Sequence, residues 1–136
     1  MEENKSLADH RRLAEFHYQI RQFLHVSEEA ARENGIPPQQ HRFMVAIKGL
    51  PQGANPTIKT LALRLCLKHH SVIELVNRLV ERGAVVRRQS REDRREVLIE
   101  LTPLGEEILK KLKDLHFREL KTKSPELCRS LQALVD

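Results

Sequence analysis

Residues 57–105 read TIKTLALRLCLKHHSVIELVNRLVERGAVVRRQSREDRREVLIELTPLG and decide the fold of this chain. The pattern predicts a short helix, a tight break, a longer helix and then a charged β-hairpin. We expect Thr57 to cap the short helix, the break to fall at Leu67-Lys68, and Gly83 to end the longer helix. After Gly83 the apolar residues alternate instead of following helical spacing, which indicates strands.

The longer helix is predicted to have one core face and one outward face. Val72, Leu75, Val76 and Leu79 lie at i, i+3, i+4 and i+7, the spacing of a face that packs on a core. The outward side chains are then His70, Glu74 and Asn77. The order of elements is that of a winged helix-turn-helix, whose second helix can enter the DNA major groove.

The hairpin is strongly basic. Arginines far outnumber acidic residues between positions 82 and 95, where only Glu92 and Asp93 are acidic. The arginines are Arg82, Arg87, Arg88, Arg91, Arg94 and Arg95. Arginine on a thin loop suits the narrow, electronegative minor groove of DNA. The alternative is a solvated charged turn held by local ion pairs, but the preceding helix-turn-helix pattern favours DNA contact.

Both ends of the chain are predicted to be helical. From Ser6 to about Glu33, apolar residues recur at three- and four-residue steps with a gap at Ser27. So long a seam needs a partner, either in the same chain or in a second subunit. Pro37-Pro38 opens a helix over residues 39–50. Thr102-Pro103 begins a further helix, and Ser124-Pro125 repeats that signal for a separate last helix.

The predicted fold class is mainly α with a small β-hairpin wing, a winged helix-turn-helix flanked by N- and C-terminal helices. A chain of 136 residues favours a single domain, 1–136. Within it we expect a DNA-binding region over residues 37–101 and a helical region over residues 6–34 and 103–135, which is a dimerisation region if the partner of the seam is a second subunit.

Charge and cysteine usage narrow the class of partner. Lys and Arg exceed Asp and Glu by 24 to 19, and the pI is near 9.5, which suits nucleic acid or an anionic membrane surface. No apolar run approaches membrane-spanning length. Cys66 and Cys128 are isolated and no secretory signal is present, so we expect two buried thiols in a reduced, cytoplasmic protein.

The stretch from Thr57 to Gly105 resembles the signature region of the MarR family of regulators. The matching pieces are TIKTLA at 57–62, LVNRLVERG at 75–83, DRR at 93–95 and LTPLG at 101–105. The resemblance implies a homodimeric, ligand-responsive repressor that binds a pseudo-palindromic operator in double-stranded DNA. It also implies wing arginines in the minor groove and recognition helices in successive major grooves.

The implied DNA contacts lie on both helices of the pair and on the wing. They are Thr57, Lys59, Lys68, His69, His70, Ser71, Glu74, Asn77, Arg78, Arg87, Arg91, Arg94 and Arg95. Relatives often carry Arg or Lys where Glu74 stands; this carboxylate can accept from cytosine N4 or pair with Arg78. Relatives often carry Asp at Asn77, where it pairs with the arginine matching Arg95. They also often carry Asp at Ser90.

Other functions have weaker signals. The resemblance implies a small aromatic effector, for which Tyr18, His41 and Phe43 are candidates, although a core role is the alternative. The histidines show no metal-ligand spacing, so no metal or other cofactor is predicted. The absence of nucleophile and phosphate-loop motifs predicts that the protein is not an enzyme. The alternatives left open are a protein-interaction winged helix and a metal-responsive regulator.

Overall fold

The computed structural model describes residues 1–136 as five helices and one β-hairpin. The elements are α1 (Glu2–Glu33), α2 (Pro38–Lys48), α3 (Ile58–Leu65), α4 (His69–Arg82), β1 (Val85–Gln89), β2 (Val97–Leu101) and α5 (Pro103–Val135). The predicted class, mainly α with a small hairpin wing in a winged helix-turn-helix, is confirmed. No helix is both long and apolar enough to cross a membrane.

The chain divides into two compact units. A helical unit contains residues 1–34 and 113–136, and a winged-helix unit contains residues 35–112. The winged-helix unit therefore also includes the start of α5, beyond the predicted boundary at residue 101. The predicted single domain over residues 1–136, with DNA-binding and dimerisation regions, stays a prediction.

The core of the winged-helix unit is aliphatic with one aromatic residue. The predicted core face of α4 is confirmed, since all four of its apolar side chains are buried. They pack in a unit whose other fully buried large side chains are Phe43, Met44, Leu61, Val85, Ile99 and Leu112. Burying such a side chain contributes about 1.5–3 kcal/mol relative to leaving it in water, so this face fixes which side of α4 points outward.

The wing, residues 85–101, is an antiparallel hairpin. Its register runs from Val85 opposite Leu101 to Gln89 opposite Val97. Val85 is buried and Val86 is exposed, as the two-residue period of a half-buried strand requires. Ile99 of β2 is also buried, whereas Val97, two residues nearer the tip on the same side of the strand, is exposed, so burial is confined to the base of the hairpin. One face of the hairpin thus anchors it to the unit and the other faces solvent.

The start of α5 matches the sequence prediction. The Thr102 hydroxyl accepts from the Gly105 amide at 3.1 Å, as an N-cap does. It also donates to the Gly83 carbonyl at 2.6 Å, which ties the end of α4 to the start of α5. Because the same hydroxyl serves both helices, it holds the base of the wing.

The predicted separate last helix is wrong, because α5 continues from Pro103 to Val135 with Pro125 inside it. Proline cannot donate a backbone hydrogen bond and normally disrupts the preceding turn. Here the Ser124 hydroxyl donates to the Leu120 carbonyl at 2.6 Å, which adds a bond next to the one that Pro125 cannot make. The helix therefore passes the proline.

Ser27 explains the gap in the apolar seam of α1. Its hydroxyl lies 3.2 Å from Nε2 of His116 on α5, within the helical unit. Burial lowers the pKa of His116, while the charge of Glu119 and a hydrogen bond to Ser27 act in the opposite direction. A polar pair thus interrupts the otherwise apolar contact stripe of α1.

Candidate nucleic-acid interface

The N-terminus of α3 is held by side chain and sheet together. The Thr57 hydroxyl accepts from the Thr60 amide at 3.2 Å and donates to the Thr60 hydroxyl at 3.1 Å. The Ile99 amide donates to the Pro56 carbonyl at 2.9 Å, which ties the preceding loop to β2. The Thr57 hydroxyl is therefore already engaged, and its predicted DNA contact stays a prediction. Lys59, one turn into the helix, is exposed.

The turn between α3 and α4 is built on Cys66. This residue has φ 55° and ψ 41°, the left-handed conformation, and it is the only non-glycine residue with positive φ. The amide of Cys66 donates to Leu63 and that of Leu67 donates to Ala62, closing a Schellman motif. The turn redirects the chain within three residues, so that α4 starts at His69.

The prediction that both cysteine thiols are buried is wrong, since Cys66 and Cys128 are exposed. Flanking leucines suggested a core position for Cys66. However, the left-handed turn breaks helical spacing at this residue, and its side chain no longer follows the buried side of α3. Cys128 lies on an exposed part of α5.

The outward face of α4 carries polar side chains that are free of intramolecular bonds. His70, Glu74 and Arg78 are exposed and form no side-chain hydrogen bond or ion pair within the chain. The alternative role of Glu74, an ion pair with Arg78 one turn further along the helix, is therefore absent from the structure. Lys68 and His69 at the start of α4 are also exposed, and Ser71 is half-buried.

Asn77 connects the recognition helix to the wing. Its Oδ1 accepts a hydrogen bond from Nη2 of Arg87 on β1. The expectation that residue 77 pairs with Arg95 is wrong for this chain, because its partner is Arg87. Arg95 lies beyond the hairpin turn and bonds to Asp93, whereas Arg87 lies on the strand that directly follows α4. The amide of Asn77 provides a neutral acceptor, so the pair adds no second charge.

The tip of the wing, residues 90–96, is organised by Ser90. Its buried hydroxyl accepts from the amides of Glu92 and Asp93, both at 3.3 Å. The Ser90 amide donates to the Glu96 carbonyl at 2.9 Å. In the sequence, Ser90 is notable only as a position where relatives often carry Asp. The sequence signal for this role is a serine in a turn, because its hydroxyl can accept from the amides two and three residues further on, as in an ST turn.

Asp93 and Arg95 form the one ion pair of the tip. Nε and Nη2 of Arg95 donate to the two Asp93 carboxylate oxygens at 3.1 and 3.3 Å. The side-chain and backbone hydrogen bonds from Arg95 hold the pKa of Asp93 below its usual value. The Arg95 guanidinium remains largely in solvent, with its side chain 90% exposed.

The remaining arginines divide into bonded and free. Arg82 donates to Gln40 on α2 at 2.8 Å, and Arg88 donates to Glu100 across the hairpin at 2.8 Å. The guanidinium groups of Arg91 and Arg94 are exposed and make no bond within the chain. The tip therefore presents two guanidinium groups that form no ion pair within the chain, together with the ion-paired Arg95.

The candidate effector residues differ in exposure. In the helical unit, Tyr18 is exposed and its hydroxyl accepts from Gln22 at 3.3 Å. In the winged-helix unit, His41 and Phe43 are buried in α2. No group of three or more His, Cys, Asp or Glu side chains has the geometry to hold a metal ion.

A family model matches this arrangement. Residues 34–96, which contain α2, α3, α4, β1 and the wing tip, match the model described as the MarR family. The predicted resemblance to the MarR family is confirmed. A search of curated proteins finds no match.

Three solved structures share the fold. AbsC, a MarR family transcriptional regulator from Streptomyces coelicolor, is 19% identical with a TM-score of 0.71, over 81% of this chain and 74% of that one. A mutant of MarR from E. coli in complex with operator DNA is 23% identical with a TM-score of 0.67, over 88% and 86% of the chains. CouR from Rhodococcus jostii, bound to p-coumaroyl-CoA, is 25% identical with a TM-score of 0.57, over 75% and 67%.

Proposed function

We propose that this protein is a homodimeric transcriptional regulator that binds a pseudo-palindromic operator in double-stranded DNA sequence-specifically. In this proposal α4 enters the major groove and the wing tip contacts the adjacent minor groove. The protein acts in the cytoplasm as a ligand-responsive repressor and has no catalytic role. The E. coli relative solved with operator DNA supports the binding of DNA by this fold.

The observation that carries the proposal is a set of exposed, unbonded polar groups on two adjacent elements. His70, Glu74 and Arg78 on α4, and Arg91 and Arg94 on the wing, have no partner within the chain. Cations without internal partners can neutralise phosphates at no loss of a protein ion pair. The Asn77–Arg87 bond between α4 and β1 fixes the helix and wing relative to each other. Both elements can then reach one duplex together.

The terminal helices are the proposed dimerisation region. Leu13, Leu131 and Leu134 are exposed in the single chain, at 43%, 43% and 42% of their surface. Leucines at helical spacing on two long helices are the composition of a helix–helix interface. We place Leu13, Phe16, Ile20, Leu127, Leu131 and Leu134 in the interface. A two-fold dimer of this kind requires two half-sites about 34 Å apart, one turn of DNA.

A small aromatic effector is the proposed regulator. CouR was solved with p-coumaroyl-CoA, an aromatic thioester, which supports this ligand class for a MarR protein. The involvement of Tyr18, His41 and Phe43 in effector binding stays a prediction. We expect an aromatic acid or its thioester to release the protein from its selected duplex, which footprinting with and without the compound measures. A footprint that no such compound changes would contradict this part of the proposal.

The primary test is selection of duplexes from a random pool, followed by footprinting and a salt titration. We expect a pseudo-palindrome with two-fold protection, and an affinity that falls steeply with salt because bound phosphates release counterions. A footprint without two-fold symmetry, or binding that is indifferent to salt, would contradict the proposal.

Single variants test the wing. Arg94→Ala should weaken binding to selected and scrambled duplexes alike, because wing contacts engage backbone and groove shape. The slope of log affinity against log salt should shrink by about one per lost contact, so about two per dimer. Arg95→Ala should reduce the slope by less, because its guanidinium is already shared with Asp93. The control is Arg11→Ala, an exposed arginine of α1.

A further inference from the structure

Glu74 is the one acidic side chain in the middle of the outward face of α4. It lies in the second turn of a helix that begins at His69, and it is exposed. The N-terminal part of a recognition helix is the part that contacts base edges. A carboxylate at this point therefore meets either phosphates, which repel it, or the major-groove edge of a base pair.

Nothing in the chain neutralises Glu74. Arg78, four residues on, and His70, four residues before, form no ion pair or hydrogen bond with it. Arg87, the cation that reaches α4 from the wing, is bonded to Asn77. The charge of Glu74 is therefore available to an external donor. If it finds none in the complex, its desolvation counts against binding.

The chemistry of base edges selects the donor. A carboxylate can only accept hydrogen bonds. In the major groove guanine presents two acceptors and thymine presents an acceptor and a methyl group, so both oppose it. Adenine presents an N6 donor beside an N7 acceptor, whereas cytosine presents an N4 donor alone. We propose, on the basis of the DNA-binding function proposed above, that Glu74 requires a cytosine at one position of each operator half-site.

The same reasoning predicts the effect of a neutral isostere. The Gln side chain has one acceptor and one donor, which match N6 and N7 of adenine. Glu74→Gln should therefore move the preference at that position from cytosine to adenine. Other positions, read by other side chains, should keep their preference. The substitution breaks no internal hydrogen bond or ion pair, because Glu74 forms none.

The experiment is parallel selection from one random duplex pool with the wild type, Glu74→Gln and a control. The control is Glu81→Gln on the same helix, which removes an equal charge from an exposed glutamate without a partner. Seven residues separate the two, so position 81 lies on the same side of α4 but about 10 Å further along it. Equal helix content of the three proteins, from circular dichroism, is checked first.

We expect wild type and Glu81→Gln to enrich cytosine at one position per half-site and Glu74→Gln to enrich adenine there. On defined duplexes, replacing that C·G pair should weaken wild-type binding by about 5- to 150-fold per half-site. An unchanged preference in Glu74→Gln, or an equal shift in Glu81→Gln, would overturn the inference alone. A wild-type selection that enriches no sequence would overturn the proposed function, and the inference with it.

Discussion

At the scale of single residues, two helices of the winged-helix unit end in the same way with different amino acids. Both α3 and α4 close with a Schellman motif, on Cys66 and Gly83, at φ 55° and 80°. Glycine adopts this conformation freely, whereas a residue with a Cβ is strained by about 1–2 kcal/mol. The turn of the helix-turn-helix therefore stores strain that the end of α4 does not.

Cys66→Gly should therefore stabilise the protein. Removing the Cβ relieves the strain, and the greater freedom of glycine in the unfolded chain cancels part of the gain. The net increase in the free energy of unfolding should reach about 1 kcal/mol. Urea denaturation measures it, with Cys66→Ala as control, because alanine removes the thiol but keeps the Cβ. Equal stability of the two variants would show that Cys66 is not strained.

His116 should make stability depend on pH. Burial lowers its pKa from the ordinary 6.5. Below pH 6.5 the unfolded chain then binds a proton that the folded chain does not, so stability is lost as pH falls from 6.5 through the folded pKa. The urea midpoint of the wild type should fall in this range more than that of His116→Gln. His17→Gln, which removes another imidazole of the helical unit, should behave as the wild type; identical profiles for wild type and His116→Gln would refute this role.

Sequence alone predicted residue orientation better than residue pairing. Helical spacing fixed the buried side of α4, because burial follows a period that the sequence displays. The Asn77–Arg87 bond and the exposed Cys66 had no such signal. Which arginine pairs with Asn77 depends on its position along β1 in the folded hairpin. The exposure of Cys66 depends on a left-handed turn, which a glycine at this position would normally indicate in the sequence.

At the scale of elements, the start of α5 lies against the end of α4 and the base of the wing. The Thr102 amide donates to the Ala84 carbonyl at 3.0 Å, next to the shared Thr102 hydroxyl. A Cβ on Gly105 would lie 2.2 Å from that same carbonyl oxygen and 3.1 Å from Cδ2 of Leu101. Only a glycine lets α5 start this close to the base of the wing.

Gly105→Ala should therefore be destabilising although alanine favours helix. Propensity alone would stabilise by about 1 kcal/mol. The clash is with backbone that is hydrogen-bonded and cannot yield, and overpacking of this kind costs about 1–3 kcal/mol or more. Thermal denaturation decides the sign, with Glu107→Ala, an exposed position in the same turn, expected to stay within about 0.5 kcal/mol of the wild type. A more stable Gly105→Ala protein would contradict the close approach.

Element boundaries were predictable where a cap marked them and not where a proline did. Thr57 and Thr102 both cap helices as predicted, because a hydroxyl at an N-terminus has a local partner three residues on. Ser124-Pro125 shows the same letters inside α5, where the serine bonds backwards to Leu120. The dipeptide alone does not indicate whether its hydroxyl caps a new helix or bonds back to the preceding turn. The packing of the surrounding helix determines which of the two bonds forms.

At the scale of the whole molecule, the helical unit exposes apolar side chains that a lone chain would leave in water. They lie on both of its helices and include Leu7, Leu13, Tyr18, Phe117, Leu131, Leu134 and Val135. Exposed apolar side chains grouped on two helices in this way indicate an interface. The apolar residues along α1 predict that this helix needs a partner. Their spacing does not indicate whether the partner is in the same chain or in a second subunit.

The proposed dimer can be tested separately from DNA binding. Leu131→Glu places a charge in the proposed interface, where burial without a partner is costly, and should shift the protein towards monomer at micromolar concentration. Leu63→Glu is the matched control, because Leu63 is 73% exposed on α3 in the winged-helix unit and lies outside the proposed interface. Light scattering of both variants and the wild type gives the molar mass directly. A monomeric wild type would contradict the two-fold model, and a dimer that Leu131→Glu leaves intact would place the interface elsewhere.

A monomeric Leu131→Glu should also lose the two-fold footprint while keeping weak, salt-dependent binding, because each winged helix retains its own α4 and wing.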